Sequence, residues 1–77
     1  MIGDELRKAR EAAGFTQENL AFEARLHRTY ISILERNIKS PTLDVLSRIC
    51  RVLQVPVSVL IRRAERAQSR RRARRTY

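Results

Sequence analysis

Apolar residues recur along most of the chain at the spacing of one helix face. Ile2, Leu6, Ala9 and Ala13 fall three or four positions apart, which predicts a first helix with a single apolar stripe. Gly14 follows where a helix end commonly needs a left-handed residue. Thr16 is an N-cap candidate, with Glu18 in the first turn near the positive helix end, and Leu20, Ala21 and Ala24 mark the buried face of a short second helix ending near Arg25. After a turn at 25–27, residues 28–36 read as a third helix with Ile31 and Leu34 inward, and Asn37 is the next best left-handed cap after glycine. Ser40-Pro41 breaks the chain. Thr42 then caps a fourth helix whose stripe is Leu43, Leu46, Ile49, Cys50 and Leu53, and Gln54-Val55-Pro56 separates it from a fifth that begins near Pro56 or Val57. The pattern predicts an all-α chain of five short helices with no strand.

The fifth helix is apolar nearly all round. Val57, Val59, Leu60 and Ile61 cannot all reach the core of so small a domain, so Leu60 is assigned inward and Val57, Val59 and Ile61 to a partner. A helix lying on a membrane is the competing use of this stretch, and its brevity argues against that. Beyond Arg62 the helix could continue through Ala64, Glu65 and Ala67, but QSRRRARRTY strings like charges together without an apolar face, and residues 68–77 are expected to be disordered when unbound.

Composition narrows the picture. A chain of 77 residues supports one domain, and one this short often gains stability by burying surface in a dimer. Cys50 stands alone, which excludes a disulfide framework or a cysteine-rich zinc site and fits a reducing cytoplasm. No apolar run is long enough for a bilayer, and the N-terminus lacks the order of a signal peptide. The charge is lopsided: residues 62–77 hold eight arginines against Glu65, +7 of the total +9, leaving +2 for residues 1–61.

Two short helices joined by a tight turn, the second offering polar residues from its first turn, match the geometry by which a helix-turn-helix sets side chains against base edges in a major groove. The run TQENLAFEARLHRTYISILERN resembles the helix-turn-helix of the phage repressor and Cro-type family, also called the XRE family, in its Thr-Gln start, Leu-Ala pair, Tyr-Ile-Ser segment and closing Glu-x-Asn. The resemblance covers about residues 4–61. RTYIS followed by ERN is most similar to the small controller proteins of restriction–modification systems, single-domain dimers that regulate their own operon. It implies a five-helix lambda-repressor-like DNA-binding domain over 1–61 with its motif at 17–36, and leaves 62–77 as an arginine-rich C-terminal extension. One position departs from the family pattern. The usual glycine of the turn is Arg25 here, and a non-glycine residue at positive φ costs on the order of 1 kcal/mol.

The resemblance also implies roles for individual residues. Arg28, Thr29 and Ser32 would read bases: the Arg28 fork suits O6 and N7 of guanine, Thr29 a thymine methyl or a phosphate, and Ser32, one turn on, the next base. His27 and Ile33 flank them, either at a base or as a plain helix start and a cover for apolar surface. Thr16 and Gln17, the Tyr30 hydroxyl, Arg36, Asn37, Lys39 and Ser40 would meet backbone phosphates, with solvated surface, or packing for Tyr30, as the alternative. Arg10 and Glu35 occupy positions where relatives form a partly buried ion pair between helix one and the end of helix three, a matter of orientation more than stability.

These readings point to a dimeric, sequence-specific DNA-binding transcriptional regulator on a pseudo-palindromic operator. It would repress or activate by occupying promoter DNA or by touching RNA polymerase. No Ser/His/acid arrangement, glycine-rich phosphate loop or metal-ligand spacing appears in the sequence, so no catalysis, cofactor or metal is expected. Two other classes remain open: an antitoxin-like protein-interaction module, and a nonspecific nucleic-acid binder driven by the tail, which could follow phosphates, enter an A·T-rich minor groove or serve only as a solubilising appendage.

Overall fold

Where each helix stops is decided by the same device four times over. The computed structural model describes the backbone of residues 1–75 and the side chains as far as Arg70. Its helices are α1 (Ile2–Ala12), α2 (Gln17–Ala24), α3 (Arg28–Glu35), α4 (Leu43–Leu53) and α5 (Val57–Arg75), with no strand among the described residues. Left-handed residues follow the first four: Gly14 at φ 80°, Arg25 at 58°, Asn37 at 60° and Gln54 at 57°. At each exit the next amide reaches back five residues, from Phe15 to the Arg10 carbonyl, Leu26 to Ala21, Ile38 to Ile33 and Val55 to Cys50, at 2.8–3.1 Å. This is the Schellman arrangement, in which an apolar residue just past the left-handed one packs back on the helix. Phe15, Leu26 and Val55 do so against the core, whereas Ile38 remains 60% exposed.

Helix starts use the expected hydroxyls. Thr16 Oγ1 accepts from the Asn19 amide at 3.0 Å and Thr42 Oγ1 from the Val45 amide at 3.2 Å, caps typically worth about 1 kcal/mol. The core is small and aliphatic: Leu20, Ile31, Leu34, Ile49 and Leu60 are fully buried, joined by Leu6, Leu46, Leu53, Cys50 and three alanines. Burying each large side chain contributes roughly 1.5–3 kcal/mol. Helix α2 packs on α3 and α4, and α1 packs on α3 and α5, so α3 leans on both. No helix among the described residues is long and apolar enough to cross a membrane.

Three expectations are corrected. Ala13 caps α1 and is exposed, because the helix ends one residue earlier. Leu43 keeps the spacing of the α4 stripe yet is 69% exposed, since the first turn of α4 overhangs the core. Most visibly, α5 does not stop near residue 68 but runs to Arg75. Arginine is a good helix former and no glycine or proline interrupts the stretch, so the helix seated by the half-buried Ala64 and Ala67 continues past them. Thr76 and Tyr77, the last residues of the expected extension, lie outside the described residues.

Candidate nucleic-acid interface

Helix α3 is amphipathic in a way that sorts its residues cleanly. Ile31 and Leu34 are buried, and Tyr30 packs partly against the core. At about 100° per residue, Arg28, Ser32, Arg36, Thr29 and Ile33 fall in one arc on the opposite side. His27, Arg28, Thr29 and Arg36 are exposed, while Ser32 and Ile33 are half-buried. His27 is the N-cap but makes no side-chain capping bond, and no acidic residue stands in the first turn. The leading amides of α3 and the Arg28 guanidinium thus form an electropositive end, with Glu18 of α2 the acidic residue that shares the concavity beside Arg28.

A polar brace fixes this arc. Glu35, 4% exposed at its side chain, accepts from Arg10 Nε at 2.6 Å and from Arg10 Nη2 at 3.1 Å, and Gln17 Nε2 donates to the same carboxylate at 3.1 Å. Arg10 Nη1 also donates to the Phe15 carbonyl at 2.8 Å. One carboxylate therefore ties together α1, the start of α2 and the end of α3. The hydrogen bond to Glu35 raises the Arg10 pKa above the ordinary guanidinium value, against the lowering effect of burial. Because folding raises it, the pair's contribution is complete below the ordinary value and is lost only as strong alkali passes through the folded one, so Arg10 is cationic throughout the neutral range.

Just past the same end of α3, Asn37 adds a second tie. Its Oδ1 accepts from the Gly3 amide at 2.9 Å and its Nδ2 donates to Asp4 Oδ1 at 3.4 Å. A Cβ at Gly3 would collide with the Leu34 carbonyl and come within 2.5 Å of Asn37 Oδ1, so this close approach requires glycine. The turn between α2 and α3 has its own support: Arg48 Nη2, from α4, donates to the carbonyl of the left-handed Arg25 at 3.3 Å.

The expected site residues thus fall into two groups. Arg28, Thr29, His27, Arg36, Lys39 and Ser40 are exposed, and Arg28 borders a concavity with Arg10, Phe15, Thr16, Gln17 and Glu18. Thr16, Gln17 and Asn37 are engaged within the protein, as cap, as brace and as the anchor of α1. Val57 and Ile61, four apart, share a flank of α5, whereas Val59 lies on the other side of the helix. Ile61 is 39% exposed beside a groove that includes Met1, Ile2, Pro41 and Leu46. Gly3 and Arg48 escaped the sequence reading. A glycine inside a predicted helix was the available signal for the first, and nothing local distinguishes Arg48.

Known proteins share this layout. Residues 6–60 match the helix-turn-helix family. The transcriptional regulator ClgR of Mycobacterium tuberculosis is 44% identical over 61 residues, covering 79% of this chain and 54% of that protein, so the chain spans about half the length of this relative. Control protein C.BamHI of Bacillus amyloliquefaciens is 41% identical over 56 residues, covering 71% of this chain and 69% of its own. The crystal structure of the biofilm regulator SinR in complex with DNA has a TM-score of 0.76 at 32% identity, covering 79% of this chain and 98% of that one.

Proposed function

Since the chain belongs to the helix-turn-helix family, we propose that it is a sequence-specific DNA-binding transcriptional regulator, working in the cytoplasm as a two-fold dimer on a pseudo-palindromic operator and, like a restriction–modification controller, on its own operon. The observation that carries this reading is the outward arc of α3, where Arg28 and Thr29 stand exposed while the C-terminal end of the helix is tied to α1 through Glu35 and Asn37. In that role Arg28 reads guanine through its fork, Thr29 and Ser32 read adjoining bases, and His27 and Ile33 stand beside them. Arg36, Lys39 and Ser40 meet phosphates, as does the Tyr30 hydroxyl. Thr16, Gln17 and Asn37 present their helix and loop ends to the backbone while their side chains hold the protein together.

A single recognition helix reads too few bases for tight binding, and half-sites about 34 Å apart call for a symmetric pair. The Ile61 flank of α5, with Val57, is the surface proposed to join the two copies. On this reading the protein acts by occupying promoter DNA or by touching RNA polymerase, without chemistry of its own.

Footprinting on the DNA upstream of its own gene tests the proposal, with two protected half-sites expected. Arg28→Ala should weaken that site by about 1–3 kcal/mol and relax choice at one base position. Equal weakening on scrambled DNA would make Arg28 a phosphate contact instead. Ile61→Asp should give monomers in sedimentation, and an unchanged mass would refute this interface.

A further inference from the structure

Across α1 from the recognition helix lies a second charged surface. Arg63, Arg66 and Arg70 of α5 line a cleft with Ala67 and with Glu5 and Lys8 of α1. Around α1, Lys8 and Arg10 are about 200° apart, as are Glu5 and Gly3. Gly3 and Asp4 of α1 are bonded to Asn37, just past α3, and Arg10 to Glu35. Glu5 and Lys8 share in neither tie and line the cleft against α5 instead.

Its charge is largely uncompensated. Four cations meet one carboxylate, that of buried Glu5, which already lies 3.4 Å from Lys8 Nζ. The three arginines stand at i, i+3 and i+7, a stripe of about 10.5 Å at 1.5 Å per residue, and the sequence goes on with Arg71, Arg72, Arg74 and Arg75. Chemistry narrows the ligand. A membrane helix would need a broad apolar edge beside the basic stripe, and among the described residues Ala67 is the only apolar one lining the cleft. Single-stranded nucleic acid is held by aromatic platforms, and among the described residues no aromatic one lines this cleft. Each strand of a duplex carries a charge about every 3.4 Å along its axis, so the stripe runs alongside about three phosphates.

We propose that the cleft between α1 and α5 binds the phosphate backbone of a second double-stranded DNA segment without regard to sequence, so that one protomer bridges two duplexes. The cleft stands whatever α3 reads, whereas the bridging rests on the operator reading above.

The test uses the full chain and a scrambled duplex in a salt series. Arg63→Gln, Arg66→Gln and Arg70→Gln together should lower the slope of log affinity against log salt by about 2.7, and Lys8→Gln alone by about 0.9. Lys8 belongs to α1, so a loss there reports the cleft rather than the arginines of the tail alone. With an operator duplex immobilised, the wild type should retain a labelled scrambled duplex and the triple variant should not, while operator affinity measured above the salt range of nonspecific binding stays within about twofold. An unchanged slope in both variants, equal displacement by single strands of the same length, or operator affinity falling in parallel with no second duplex retained would each overturn the proposal. Failure to find any operator would sink the reading of α3 and leave the scrambled-duplex measurement intact.

Discussion

The two flanks of α1 carry positive charge in opposite ways. Toward α3, a buried carboxylate gathers Arg10 and Gln17, and the groups left exposed, Arg28 and Thr29 above all, are fixed in relation to one another. Toward α5, as far as Arg70, arginines project from a helix whose half-buried residues beyond Leu60 are Ala64 and Ala67. The first surface spends a buried ion pair on orientation, which suits the discrimination of one base edge from another. The second has charge with little to orient it, which suits a regular backbone.

This contrast is most easily broken at Glu35. Glu35→Ala strands Arg10 without its partner, and loss of about 3–5 kcal/mol is expected in urea unfolding. A loss under about 1 kcal/mol would mean that α3 is held by its apolar residues alone. The turn offers a finer probe. Arg25→Gly should relieve about 1 kcal/mol of left-handed strain, while Arg48→Ala should cost about 0.5–1.5 kcal/mol by removing the bond to the Arg25 carbonyl. In a double-mutant cycle the two should couple, and strict additivity would show that Arg48 does not support the turn. Smallest of all, Arg66→Gln on the other flank should move stability by no more than about 0.5 kcal/mol in thermal unfolding. A larger loss would show that the arginine helix is built into the fold and is no mere appendage.

Much of this was legible in the chain itself, because helix faces and hydroxyl caps are local. Leu20, Ala21, Ile31 and Leu34 announce their burial by spacing, and Thr16 and Thr42 announce their helices by type. Arg25 was recognisable as a left-handed residue only through the family pattern, and Gln54, at the same kind of exit, passed unnoticed because its signal is the Val55 that packs behind it. Leu43 shows the limit of periodicity, which reports a face and not how far the neighbouring helices extend. The partners of Glu35 were legible only in part. Arg10 came from resemblance, but Gln17 and the support from Arg48 depend on how helices distant in sequence are set against each other. Residues 68–77 were harder to judge, because their like charges are obvious whereas the helix propensity of arginine, with no glycine or proline to stop it, carries α5 on to Arg75.

At Gly3 the chain meets the Leu34 carbonyl at the end of α3 with no side chain of its own between them. Elsewhere in the core one aliphatic residue can drift to another of similar volume over evolutionary time, each neighbour yielding a little. Here the separation is set by main chain against main chain, so a lineage would have to keep glycine or reseat the whole of α1, and sequences of close relatives should vary less at this position than at any of the leucines.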